Sequence, residues 1–319
     1  MSRKNIMLVV VMTALILLSS CTKEKQGVKI SLISFIDHPI FNTIVNSFKN
    51  ELRNQLDSAY NYTIIENNAQ GNIDNLPFIA TQVMAAKPDI IVPISTPVTQ
   101  AFMRVAEPNT KIIYTFVSDT LNLGDALRVT NSTGLSDVIN YEENLDLIQK
   151  IKGDKVVVGI IYNPNEANSV KGIREIKKIA DAKKINIVLA TVMNESEIGI
   201  VSSQMVKSTD VILSIGDNTV GAGLKIVIDN ANKFNKPVFA IDEGSIQELG
   251  AVGGVSVDYE KLGRETAKIV ADVIINKKNP KSMRKVLLYG KKLLFNRKVL
   301  NKLNLQLPDD VEQKAEFVN

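Results

Sequence analysis

The stretch Asp154–Lys184, DKVVVGIIYNPNEANSVKGIREIKKIADAKK, decides the fold. Its opening run, KVVVGII, is apolar without polar alternation, as a strand covered on both faces requires. Its closing run, KGIREIKKIADAKK, carries apolar residues at helical spacing. Between them lies a polar turn that includes Asn163, Glu166, Asn168 and Ser169. A buried strand that runs through a polar turn into a helix is the repeating unit of a parallel α/β sheet.

The unit recurs on both sides. From Val28, VKISLISF precedes PIFNTIVNSFKNELRNQL, where Ile40, Ile44, Phe48 and Leu52 share a helical face. NYTIIENN and NLPFIATQVMAA follow, then PDIIVPI and TPVTQAFMRVA, and TKIIYTFV closes the first half. After the deciding stretch come INIVLATV and ESEIGIVSSQMV, then TDVILSI and NTVGAGLKIVIDNA, and NKPVFAI closes the second half. The order predicts an α/β protein of two doubly wound parallel-sheet lobes joined by a hinge. We expect one lobe from residues 28–119 with 243–279, the other from 120–242 with 280–290, and a closing segment at 291–319. Hinges are expected near Ser118–Leu123, Asp242–Ser245 and Asn279–Lys285. KVLLYGKKLLFN reads as a last strand or a hairpin.

Composition narrows the function. The chain has 319 residues and a formal charge of +4, too small to point to nucleic acid, and its basic residues scatter along helical faces. Arg3 and Lys4 precede the apolar run IMLVVVMTALILL, and LSSC ends at Cys21, the sole cysteine. That order reads as a signal peptide over residues 1–20. LSSC resembles the bacterial lipobox, in which the cysteine is lipidated. The expectation is a chain tethered through Cys21 and a short polar linker, residues 21–27, to the extracytoplasmic side of a membrane. One cysteine allows no internal disulfide, so the fold rests on core burial.

In open parallel sheets, ligands sit beyond the carboxyl ends of the strands. The residues there are Asp37 and His38; Ser95 and Thr96; Ser118 and Asp119; Asn163, Glu166, Asn168 and Ser169; Asp217 and Asn218; and Asp242 and Glu243. Helix capping explains part of this list, and Pro39 and Pro97 suit first helical positions. The two carboxylates of DEG exceed what one cap needs. Converging helix N-termini suit an anionic group, with donors from Ser95, Thr96 and Ser169. Carboxylates among Asp119, Glu166, Asp217 and Asp242 suit an ammonium group. A small zwitterion satisfies both. His38 is the only histidine, which excludes multi-histidine metal sites. It reads either as a helix-start residue or as a ligand contact. No phosphate-binding glycine motif follows a strand, and no nucleophile–base pair or cofactor motif is present, so we expect neither an enzyme nor a cofactor.

With these residues in view, DHPIFN, ENNAQGN, KPDIIVPISTP, FVSDT, TGLSD, GIIYNPNEANS, SIGDNTV, AIDEGS and VDYEKLGRETAKI occur in order through nearly all of the chain after the tether. Together they resemble the tryptophan-type substrate-binding proteins of ABC importers, which have the type I periplasmic-binding-protein fold. Thr120 stands where the family usually has proline, and Asn42 where aspartate is common. The resemblance implies a monomeric protein that captures a small solute, such as an aromatic amino acid, by hinge closure. It also implies delivery to an ABC permease driven by a separate ATPase. Phe35, Phe41, Phe116 and Tyr162 are the candidates to face an aromatic ligand. A ligand sensor of the same fold that signals to a membrane partner is the alternative the sequence leaves open.

Overall fold

The computed structural model describes residues 27–56, 60–118, 123 and 131–319. The expected signal peptide, Cys21, the tether up to residue 26, and Asp119 and Thr120 lie outside the described residues. Strands β1 (Val28–Ser34), β2 (Tyr62–Asn68), β3 (Ile90–Pro93), β4 (Lys111–Tyr114) and β5 (Asn131–Val138) belong to a first sheet. Strands β6 (Val157–Tyr162), β7 (Asn186–Thr191), β8 (Val211–Leu213), β9 (Val238–Phe239) and β10 (Gly253–Ser256) belong to a second. The chain then returns to the first sheet with β11 (Val286–Tyr289), and ends in the second with β12 (Lys292–Asn296) and β13 (Glu316–Val318). The first sheet has the order β11-β5-β4-β3-β1-β2 and is parallel throughout. The second has the order β13-β12-β10-β9-β8-β6-β7, and only β12 against β10 is antiparallel.

The helices cover both faces, which is why the central strands read as unbroken apolar runs. Among the described residues they are α1 (Pro39–Gln55), α2 (Leu76–Ala85), α3 (Thr96–Val105), α4 (Tyr141–Lys152), α5 (Ala167–Lys183), α6 (Ile198–Ser208), α7 (Asn218–Ala222), α8 (Leu224–Asn232) and α9 (Tyr259–Ile275), with the short α10 (Arg297–Lys302) and α11 (Asp309–Glu312) near the end of the chain. NTVGAGLKIVIDNA, read as one helix, is two, divided at Gly223. Ile30, Leu32, Ile33, Ile90, Ile91, Ile112 and Ile113 fill the first core. α9 packs on α1 so closely that a Cβ added at Gly263 would lie 2.0 Å from Ser47 Oγ.

The lobe boundaries differ from the sequence reading. β5 and β11 were assigned to the second lobe and lie in the first sheet; β10 was assigned to the first lobe and lies in the second sheet. KVLLYGKKLLFN, expected as a last strand or a hairpin, is a passage from one sheet to the other, because β11 pairs with β5 and β12 with β10. The chain therefore crosses between lobes at Val138–Tyr141, Ser256–Tyr259 and Tyr289–Lys292. These crossings, not the three hinge segments expected, join the lobes. They run side by side: Gly290 N–H donates to Val138 O at 2.9 Å, and Lys291 N–H to Ser256 O at 3.1 Å.

Candidate functional site

The carboxyl ends of both sheets face one cavity. The first lobe supplies Ile36 and His38 after β1, Ile40 and Phe41 from α1, Thr96 after β3, and Phe116 and Ser118 after β4. The second supplies Asn168, the turn Ser214–Asn218 after β8, Gly221, Leu224, and Ile241, Asp242 and Ser245 after β9. The space between them is about 520 Å³ when its open mouth is counted.

The two rims approach each other closely around it. Lys171 on α5 donates through Nζ to Ser118 O at 2.8 Å. A Cβ added at Gly244 of the second lobe would lie 2.6 Å from Pro39 Cβ of the first. His38 and Asp242, from opposite lobes, are close enough to act on each other's ionisation.

Five buried polar atoms around this site have no hydrogen-bond partner: His38 Nε2, Ser95 Oγ, Thr96 Oγ1, Asn168 Oδ1 and Ser245 Oγ. Such atoms are costly unless a further group pairs with them. His38 is the N-cap of α1, and its Nδ1 accepts from Ile40 N–H at 3.2 Å. Burial lowers its pKa, against the pull of Asp242. Asp242 accepts from Ser245 N–H at 2.7 Å, and burial raises its pKa against the opposing effect of His38. Backbone strain gathers here too. Ser95 has φ 97° and Phe116 φ 57°, conformations side chains adopt only when their surroundings impose them. The Phe116 ring is clamped edge-on by Phe41 at 5.4 Å and Tyr259 at 5.2 Å.

The residues expected from sequence divide clearly. His38, Thr96, Ser118, Asn168, Asp217, Asn218 and Asp242 line the cavity. Ser95 and Ser169 are buried behind it. Asp37 is exposed and accepts from Asn42 Nδ2 at 2.9 Å. Glu243 is exposed and pairs with Lys292 at 3.1 Å. Asp119 lies outside the described residues. Glu166 and Asn163 turn inward and brace the second lobe. Glu166 Oε1 accepts from Thr219 N–H at 2.8 Å and Thr219 Oγ1 at 2.7 Å, and Oε2 from Asn218 N–H at 2.9 Å. The free amides at the start of α7 attract this carboxylate away from the cleft. Asn163 Nδ2 donates to Thr219 Oγ1 at 2.9 Å and to Met193 O at 3.2 Å. Asp217 caps α7 through Val220 N–H at 2.7 Å and also accepts from Asn163 N–H at 2.6 Å. Burial, reinforced by the charge of Glu166, pushes its pKa up to about 8. Of the aromatic candidates, Phe41 and Phe116 face the cavity, whereas Phe35 is core.

Sequence reasoning passed over the aliphatic lining, Ile36, Ile40, Ile215, Leu224 and Ile241, and also Ser214, Gly216 and Ser245, although those last three stand in quoted stretches. It also passed over Asp137, whose Oδ2 accepts from Ser118 Oγ at 2.9 Å. Burial raises that carboxyl to about 6, with Ser118 and Lys171 opposing. Its signal was its place inside TGLSD. Among the described residues no His, Cys, Asp and Glu group could hold a metal. The one histidine carries no hydroxyl on Nε2.

A two-lobed α/β protein with an apolar, polar-ended cavity between its sheet rims has the architecture of a protein that encloses a small molecule. More particularly, residues 29–319 match the family described as ABC transporter substrate binding protein, and the chain belongs to it. The family binds solutes and does not transform them. The chain is 28% identical over 264 residues to the tyrosine-binding protein of Clostridioides difficile, covering 80% of this chain and 75% of that one. It resembles the structure of an ABC domain in complex with L-Trp from Streptococcus pneumonia, with TM-score 0.84 and 23% identity over 92% of this chain and 100% of that one. It also resembles the ligand-free, open structure of a substrate binding protein with adhesive properties from Clostridium difficile. There the TM-score is 0.62 and identity 25% over 91% of this chain and 99% of that one.

Proposed function

We propose that this protein captures an aromatic amino acid between its lobes and hands it to an ABC permease driven by a separate ATPase. The observation that carries the reading is the cavity itself. Phe41, Phe116, Ile215 and Ile241 make its apolar lining, and unpartnered polar atoms from both lobes border it. Thr96 Oγ1 and the start of α3 suit a carboxylate, and Asn168 Oδ1 suits an ammonium. The relatives named for tyrosine and crystallised with tryptophan support the same ligand class.

Capture proceeds by hinge closure. The chain matches the L-Trp complex far better than the ligand-free open structure, 0.84 against 0.62, at nearly equal identity, which supports a closed arrangement here. A ligand that bridges both rims favours that arrangement by its extra contacts. LSSC at residues 18–21, after an apolar run, supports anchoring through acylated Cys21 on the extracytoplasmic face.

A thermal-shift panel over the amino acids tests the ligand class, since a ligand held only by the native state raises its melting temperature. The expected result is a shift with aromatic amino acids and none with acidic or basic ones. Mass spectrometry of the N-terminal peptide tests the anchor: acylated Cys21 is expected, and an unmodified cysteine in a membrane-free protein would reject it.

A further inference from the structure

The two rims meet in a fixed order. In the first sheet β4, β3 and β1 are neighbours, so Ser118, Thr96 and His38 follow one another along the rim. In the second, β6, β8 and β9 are neighbours, so Asn168, Asp217 and Asp242 do the same. Lys171, just after β6, bonds Ser118 O, and Gly244, just after β9, abuts Pro39. The Ser118 end therefore faces Asn168, and the His38 end faces Asp242. Two strand spacings, about 10 Å, separate these ends, the length scale of a phenolic amino acid from ammonium to hydroxyl.

The chemistry of the two ends differs. Asn168 Oδ1 and, one strand in, Thr96 Oγ1 provide an unpartnered acceptor and an unpartnered hydroxyl, a match for the zwitterionic part of an amino acid. At the other end the protonation state of His38 is set by its neighbours. Nδ1 accepts from Ile40 N–H, so the neutral ring carries its proton on Nε2. That N–H is in a side chain 6% exposed and has no partner. Opposite it, Asp242 is a carboxyl group with one oxygen engaged by Ser245 N–H, a carboxylate has about four acceptor positions, and the buried, unpartnered hydroxyl of Ser245 lies beside it on the cavity wall. One end of the cavity therefore presents a donor and an acceptor together.

We infer that His38 Nε2–H and Asp242 clamp a hydroxyl on the ligand's ring, so that the site selects a phenolic amino acid over its phenyl and indole counterparts. This rests on the reading of the cavity as an aromatic amino-acid site. A hydroxyl accepts and donates at once, and so satisfies both side chains. An indole N–H only donates and leaves Nε2–H unpaired. A phenyl ring leaves both unpaired. A buried group left without a partner weakens binding by roughly 5–150-fold.

The test is calorimetric titration of tyrosine, phenylalanine and tryptophan into the wild type and His38→Asn. Asparagine keeps the cap, because its Oδ1 accepts from Ile40 N–H as Nδ1 does, but it lacks the distal N–H. Thermal unfolding checks that the variant is folded. The wild type is expected to prefer tyrosine by at least roughly 10-fold, and the variant to lose most of that preference while still binding phenylalanine. A wild type indifferent to the hydroxyl would overturn the inference. So would a variant that weakens on all three ligands by one factor, since His38 would then meet a group they share. If the wild type binds none of the three, the ligand class itself fails, and that result is distinct from either of the others.

Discussion

Replacing Gly244 with alanine should act on closure alone. Gly244 has φ −61° and ψ −43°, a conformation alanine adopts freely. In this structure its new Cβ would lie 2.6 Å from Pro39 Cβ, well inside the roughly 3.5–4.0 Å optimum for two carbons. The lobes must part by about 1 Å at that point, or the backbone must yield, and overpacking of this kind costs about 1–3 kcal/mol. An open arrangement has no such clash. The whole penalty therefore falls on the ligand-bound form, and affinity should drop by roughly 5–150-fold. Ligand-free stability should stay within about 0.5 kcal/mol of wild type, as at an unperturbed surface site. Titration calorimetry with denaturant unfolding of the ligand-free protein separates the two. Unchanged affinity would mean that Pro39 and Gly244 are not in contact when ligand is bound. Equal losses in affinity and ligand-free stability would mean that the contact belongs to the folded state at all times.

Lys171→Met removes the other bridge, to Ser118 O, and should weaken ligand binding by roughly 3–10-fold with little change in ligand-free unfolding; an unaltered affinity would remove this bond from the closure argument. Asp137 sets a pH dependence. Its pKa rises from 3.8 to about 6 on folding, so the folded state holds the extra proton between those values and stability falls as pH rises through that window. The rise corresponds to roughly 3 kcal/mol. Asp137→Asn should therefore gain on the wild type between pH 4 and pH 6 in urea titrations, by up to about that amount; a constant difference across pH would refute the assignment. Glu166→Gln turns an acceptor into a donor against the amides of Asn218 and Thr219, and should lower the unfolding free energy by about 1–3 kcal/mol. If it abolished binding without loss of stability, Glu166 would be a ligand contact after all.

The strands that sequence located are those built from apolar runs, such as β1, β6 and β8. β5 was not among them. Its sequence NSTGLSDV has one large aliphatic residue before the final valine, and its interior is nevertheless buried by pairing with β4 and β11 and by packing under α9. Burial decided by distant partners leaves no local periodicity to read. The same holds for Gly290 and Lys291. They look like a hairpin turn, but which sheet each flanking strand joins depends on β5 and β10, far away in sequence. At the site, the rule that ligands lie beyond the strand ends found the right turns. It could not find the direction of each side chain. Glu166 and Asn163 sit in such a turn and point inward, because the free amides of α7 hold the Glu166 carboxylate and the Thr219 hydroxyl and Met193 O accept from Asn163 Nδ2. Asp242 and Glu243 are consecutive, and only the first faces the cavity.

The three side-by-side crossings also govern biogenesis. The first sheet lacks β11, and α1 lacks the cover of α9, until residues beyond Tyr259 have been made. A nascent chain halted near residue 250 thus has neither lobe finished, since β10 and β12 of the other sheet are missing as well. Pairings this remote in sequence slow the search for the native state. Both lobes should therefore be completed together, in one late step.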